Sequence, residues 1–198
     1  MNGIISAAVL AGGAATRFDG RMKSKIIIDG NTIISRIISV IRDIFDELII
    51  VTNDPEEFSD FNFCKIVQDE IPKAGPLGGI HAAMTASSND AVFVFAGDMP
   101  FLDRDIIIKL VETFNKSDCN ALIPVIEENI EPLHSIYRSS LTGNLDSYLR
   151  RHESFAVRDY IKTLNVRYLV LEGSEKNKVA FTNINSASDI DLFQVDVD

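Results

Sequence analysis

The chain has little positive charge: 19 lysines and arginines stand against 29 aspartates and glutamates, a formal net charge of -10. General nucleic-acid binders draw their affinity from a lysine and arginine surface that neutralises phosphates, and this composition argues against that class. Cysteine is scarcer still, with two residues. Cys64 and Cys119 are far apart and belong to no paired-cysteine motif. Neither a zinc site nor a disulfide framework is expected, and both read as small buried apolar residues. No apolar run approaches the roughly 18 uninterrupted residues that a membrane helix needs. Met1 to Leu10 lacks the basic start and cleavage site of a signal peptide. A cytoplasmic protein without membrane attachment is expected.

What the chain does have is a core. With 46% of its 198 residues hydrophobic, it can bury one substantial interior, and it is somewhat long for two domains. No repeat, low-complexity tract or linker marks a boundary, so 1–198 reads as a single domain. Ile4 to Leu10 is an apolar run stopped by Ala11-Gly12-Gly13, as in a buried strand entering a tight loop. Ile26 to Ile28 reads as extended and Asp29-Gly30 as a turn. Thr32 to Phe45 reads as a helix capped by Thr32, with Ile33, Ile34, Ile37, Ile38, Ile41, Ile44 and Phe45 along its buried face. Leu48 to Thr52, Lys65 to Gln68, Ala91 to Ala96 and Ala121 to Pro124 read as strands. Helices are expected from Gly75 to about Ser87 and from Asp103, as cap, through Phe114. Further on, Ile130 to Arg138 reads as extended, Ser140 to Arg151 and Phe155 to Leu164 as helical, Val166 to Leu171 as a strand, and Ser186 to Phe193 as a last short helix.

This β-α-β alternation predicts an α/β fold: one Rossmann-like, three-layer domain with a mostly parallel sheet covered by helices on both faces. Ligands of such sheets bind where the strands end. Arg17, Arg21, Lys23 and Lys25 crowd into nine residues opposed only by Asp19, directly after the first strand end and its glycines. Glycines let a backbone bring its N–H groups close to an anion, and Arg17 and Lys23 add the charge that a triphosphate requires. The loop has neither the Gly-Lys-Ser/Thr ending of a Walker loop nor the three-glycine spacing of a dinucleotide fingerprint. A plain turn at Gly12-Gly13 is the competing reading.

A strand followed by Leu10-Ala11-Gly12-Gly13, three residues, Arg17 and then Lys23 resembles the signature loop of the molybdenum cofactor guanylyltransferase family. Further matches follow in order: Val51-Thr52-Asn53, Gln68-Asp69, Gly75-Pro76-Leu77-Gly78-Gly79, Gly97-Asp98-Met99-Pro100, Glu131-Pro132-Leu133-His134 and Phe181-Thr182-Asn183-Ile184-Asn185. The first and fourth are shared with sugar-nucleotide and cytidylyl transferases; the ordered set, spanning almost the whole chain, is more specific. Two places depart from the family pattern. Phe18-Asp19-Gly20 stands where Met-Gly-Gly is common, and Met22 replaces an acidic residue before the lysine.

The resemblance implies an enzyme that moves GMP from GTP to the terminal phosphate of molybdopterin carrying molybdenum, with magnesium as cofactor. It implies that Leu10, Ala11, Gly12, Lys23, Asn53, Asp69 and Asp98 contact the nucleotide, and that Asp98 also holds magnesium. Gly13 belongs to the same cradle, and Gly78 to a glycine pair that either marks only a loop and helix start or lets backbone come close to a flat base. Lys23, Arg17 and Asp98 are the expected catalytic groups. The nucleotide side is placed at about 1–124 and the acceptor side at about 125–198. Molybdoenzymes or cofactor-delivery proteins are the implied partners.

Residue chemistry supports Asp98 independently, because a carboxylate just past a buried strand sits at the ligand edge of the sheet; a helix cap is the alternative. Asn53 and Asp69 could equally make Asx turns at strand ends. His81, His134 and His152 show no metal or triad spacing. His134 lies in the segment that the resemblance puts near the acceptor. Asn183 and Asn185, two apart on an extended stretch, could present two amides to the same ligand or cap a turn. Two other functions stay open: a sugar-phosphate or cytidylyl-type nucleotidyltransferase, and a non-catalytic nucleotide or cofactor carrier.

Overall fold

A computed structural model describes residues 5–12, 17–18, 21–71, 74–151, 155–184 and 189. It opens with strand β1 (Ile5–Leu10), followed by two short antiparallel hairpins, β2 (Arg17–Phe18) with β3 (Arg21–Met22) and β4 (Ile27–Ile28) with β5 (Asn31–Thr32). Helix α1 (Ile33–Ile41) leads to β6 (Leu48–Val51) and β7 (Lys65–Val67). Next come α2 (Gly75–Ala86), β8 (Ala91–Ala96), α3 (Arg104–Asn115), β9 (Ala121–Ile126), β10 (Asn129–Ile130) and β11 (His134–Arg138). The order closes with α4 (Thr142–Arg151), α5 (Val157–Ile161), β12 (Val166–Val170) and α6 (Glu175–Ala180).

The main sheet runs β10-β9-β11-β8-β1-β6-β7, and β12 also pairs with β9. β1 is parallel to both β6 and β8, β6 to β7, and β9 to β12. Only the pairings made by β10 and β11 are antiparallel. The expected three-layer, mostly parallel architecture is therefore present. β1 is buried throughout because both its faces are covered, and its residues divide with the period of a strand. Ile5, Ala7 and Val9 join the core formed with α1 and α3, whereas Ala8 and Leu10 join the one formed with α2, α4 and α5. The chain leaves β1 toward β6 on one side and later returns through α2 to β8 on the other. The strand order thus reverses at β1, the place where sheets of this kind form a ligand crevice.

Several expected bounds shift. Thr32 caps α1 by accepting the Ser35 N–H at 3.2 Å, but the helix ends at Ile41, not Phe45. The Phe45 N–H still donates to the Ile41 carbonyl at 3.0 Å, and the Phe45 ring packs edge-on to Phe93 and Phe95. The apolar stripe thus continues through a turn that is no longer helical. Ile130 to Arg138 is not one extended run: β10 closes a hairpin with β9, and β11 starts at His134 beside β8. The helical stretch after Phe155 contracts to Val157–Ile161, and Ser139–Leu141 forms a short 3-10 turn ahead of α4. The helix expected over Ser186 to Phe193 lies almost wholly outside the described residues. Cys64 and Cys119 are buried free thiols, as expected, and no helix among the described residues is long and apolar enough to cross a membrane.

Candidate active site

The carboxyl ends of β1, β6 and β8 finish in register, Leu10 opposite Val51 on one side and Ala96 on the other. Beyond Leu10 the backbone stays clamped: Ala11 N–H donates to the Val51 carbonyl at 2.8 Å, and Gly97 N–H to the Leu10 carbonyl at 3.0 Å. Gly97 is required there, since a Cβ at that position would lie 2.6 Å from the Leu10 carbonyl oxygen. Gly12 packs as closely on Thr52 and Asn53, its Cβ position falling 3.0 Å from the Asn53 nitrogen. Leu10, Ala11, Gly12, Asn53 and Asp98 are therefore brought to one edge by strand ends far apart in sequence. The sequence signal for Gly97 is a glycine directly before a carboxylate at a strand end.

Asp98 stands at the centre of that edge. Lys23, in the 3-10 turn Lys23–Lys25, approaches it with Nζ 3.6 Å from Oδ2, and both side chains are largely buried. Burial pushes the Asp98 carboxyl above the usual carboxylate range, and the Lys23 ammonium offsets part of that rise. Lys25 points elsewhere. It donates to the Glu57 carbonyl and lies over the Phe58 ring, 4.7 Å from its centroid, pinning the loop to the 3-10 turn Pro55–Phe58. The basic cluster thus divides into one lysine facing the carboxylate and one that braces the scaffold.

Asp69 and Gly78 also meet. The Asp69 carboxylate lies against the first turn of α2 at Gly78, where a Cβ would come within 2.3 Å of Oδ2. The Ile71 N–H donates to Asp69 Oδ1 at 2.9 Å, the Asx turn anticipated as one reading, and that contact leaves Oδ2 free of this bond. Burial raises the Asp69 carboxyl above its ordinary range, with the Ile71 hydrogen bond and the charge of His81 opposing. Ala74, at the N-cap of α2, makes no side-chain capping bond, and among the described residues the Gly75-Pro76 start leaves first-turn N–H groups available to an anion.

The acceptor-side candidates separate. Asn183 is exposed, and the Ile184 N–H beside it donates to the Asp98 carbonyl at 2.8 Å, which brings this segment to the same edge. His134 is 1% exposed and packed among phenylalanines, in the core and not on a surface that a ligand reaches. Gly13, Asn185 and His152 lie outside the described residues. Arg17 opens the small β2–β3 hairpin between the strand end and Lys23.

A metal would find one carboxylate at the centre of this edge. Among the described residues no group of three or more histidines, cysteines, aspartates and glutamates is able to hold an ion. That donor set does not suit a protein-caged zinc or calcium. It fits magnesium, which keeps most of its water and is shared between one or two carboxylates and substrate phosphates.

The strand-order reversal, with closely packed backbone and a largely buried lysine–carboxylate pair at the carboxyl edge of the sheet, is the arrangement of a nucleotide-handling α/β domain. The chain belongs to the family described as the MobA-like NTP transferase domain, whose model matches residues 7–166. It is 36% identical over 194 residues to the "Probable molybdenum cofactor guanylyltransferase" of Natranaerobius thermophilus, covering 94% of this chain and 93% of that one. The Clostridium perfringens protein of the same description is 34% identical, with 93% of each chain covered. Among solved structures, molybdopterin-guanine dinucleotide biosynthesis protein A from Archaeoglobus fulgidus superposes with a TM-score of 0.78 at 25% identity, over 94% of this chain and 95% of the other. The 4-diphosphocytidyl-2C-methyl-D-erythritol synthase of Anaerococcus prevotii shares the fold, with a TM-score of 0.70 at 15% identity, over 96% of this chain and 94% of that one.

Proposed function

We propose that the protein transfers GMP from GTP to the terminal phosphate of molybdopterin carrying molybdenum, forming the guanine dinucleotide cofactor and releasing pyrophosphate. The observation that carries the reading is the approach of Lys23 to Asp98 at 3.6 Å, at the edge where Leu10, Gly12 and Asn53 converge. The names of the relatives supply the acceptor and the guanine nucleotide.

In this reading an oxygen of the acceptor phosphate attacks the α-phosphorus of GTP. The bond from that phosphorus to the bridging oxygen of the β-phosphate breaks, and pyrophosphate leaves with the electron pair. A phosphate monoester has its second pKa near ~6, so the nucleophile is already ionised at neutral pH and needs no general base. What the reaction needs is placement and charge neutralisation between anions. Lys23 and Arg17 would meet the triphosphate oxygens, and the amides of Gly12 and Gly13 and of the first turn of α2 would line its path. Asn53, Asp69 and Gly78 would hold the nucleoside. Asp98 would hold magnesium, which when bound neutralises charge on the phosphate oxygens. Asn183 and Asn185 would face the acceptor.

Pyrophosphate release from GTP with magnesium and molybdenum-loaded molybdopterin tests the reading, alongside CTP as donor and sugar phosphates as acceptors. Release that depends on molybdopterin and GTP is expected. Transfer to a sugar phosphate but not to molybdopterin, or GTP binding without release, would overturn it.

A further inference from the structure

His134 starts β11 directly opposite Phe95 of β8, three residues before Asp98. Its ring stands edge-on to the stacked rings of Phe93 and Phe95, at centroid distances of 5.3 and 5.2 Å, and meets Phe181 at 4.9 Å. Neither ring nitrogen has a hydrogen-bond partner among the described residues. Burial lowers the His134 pKa to about 3, so the ring is neutral and serves as an aromatic wedge without charge.

Phe181 follows α6 and is anchored at both levels: its N–H donates to the Lys178 carbonyl at 3.1 Å, and its side chain is buried against His134. Three residues later Ile184 is fully buried, and its N–H donates to the Asp98 carbonyl at 2.8 Å. The two buried anchors leave Thr182 half-buried and Asn183 exposed between them. The segment therefore joins the Asp98 backbone at one end and the His134 ring at the other.

We propose that His134 is a positioning residue: its ring seats Phe181 and so fixes segment 181–184 against the Asp98 carbonyl. The consequence for catalysis, that a loosened segment misplaces the acceptor beside Asp98, rests on the function proposed above. Positioning itself is read without turnover, from the hydrogen exchange of the Ile184 amide. The variants are His134→Ala, Phe181→Ala, Phe181→Leu as a gentler alternative, and His134→Phe, which keeps an aromatic ring of similar shape.

In the alanine or leucine variants Ile184 protection is expected to fall by about tenfold or more while the amides of β8 keep theirs, the pattern of local opening. KM for molybdopterin should rise by about tenfold with GTP affinity within about twofold. His134→Phe should restore both. Unchanged Ile184 protection, an equal loss across β8, or failure of His134→Phe to rescue would each overturn the proposal. If the wild-type protein makes no product from molybdopterin, the proposed function fails while the exchange result still decides the positioning role.

Discussion

Asp69 rests on Gly78 so closely that a Cβ on the glycine would fall 2.3 Å from one carboxylate oxygen and 2.6 Å from the other. Gly78 lies in a helical turn, so alanine is conformationally acceptable there and the side chain of Asp69 is what must give way. Gly78→Ala is expected to leave the melting temperature near that of the wild type but weaken GTP binding about tenfold, or ~1.4 kcal/mol. Calorimetric titration with GTP checks it. An unchanged dissociation constant would mean that Asp69 does not hold the nucleotide.

Lys25 is expected to be dispensable for turnover. Its ammonium is committed to the Glu57 carbonyl and the Phe58 ring, not to the edge where Lys23 meets Asp98. Lys25→Met should keep GMP transfer near the wild-type rate while costing about 1 kcal/mol or less of stability, the usual scale of a partly exposed cation–ring contact. Rate assays beside thermal melts separate the two effects. A large fall in rate at unchanged stability would place Lys25 in the site after all.

The buried strands were legible because a parallel strand covered on both faces is a continuous apolar run, and β1 and β8 each end at glycine-containing loops. The end of α1 was not, because Ile44 and Phe45 continue the stripe through a turn. The β9–β10 hairpin escaped for a different reason. Its turn places Glu127 and Glu128 at φ 46° and 69°, a conformation that sequence normally announces with asparagine or glycine. In the site, motif spacing separated Lys23 from Lys25, but whether Asp69 touches Gly78 depends on how β7 and α2 pack. His134 sits in a recognisable segment, yet its burial comes from Phe93 and Phe95 of β8 together with Phe181, 47 residues later in the sequence. Long-range contacts of this kind leave no periodic trace.

At the opposite edge of the sheet Glu47 ties three elements together. Its carboxylate accepts from the Ser6 hydroxyl of β1 and from the Ser88 N–H after α2, the latter at 2.9 Å. Burial pushes the Glu47 carboxyl up, but these hydrogen bonds and the charge of Lys65 outweigh it and leave it below its ordinary value of 4.5. A depressed carboxyl contributes stability that is present above its unfolded value and is lost as pH falls through the folded one. Wild type should therefore melt higher than Glu47→Gln at pH 7, and the gap should close as the pH is lowered below about 4.5. A gap independent of pH would assign the effect to shape alone.

Lys23 and Asp98 should behave as one unit. Removing a preorganised charge of this kind lowers turnover by about 100- to 1000-fold, and Asp98→Ala is expected to abolish measurable GMP transfer. The double variant should be little worse than Asp98→Ala alone, since the second loss removes an interaction already broken. The pH dependence of Lys23→Ala is more discriminating. Asp98 is raised by burial and lowered by Lys23. Without the lysine its carboxyl therefore titrates higher still. Because the ionised carboxylate is the working form, the activity of Lys23→Ala should rise with pH over a higher range than that of the wild type. A pH–rate profile of the two proteins with saturating GTP and magnesium measures the difference. Parallel profiles would mean that Lys23 acts on the phosphates alone and does not set the charge of Asp98.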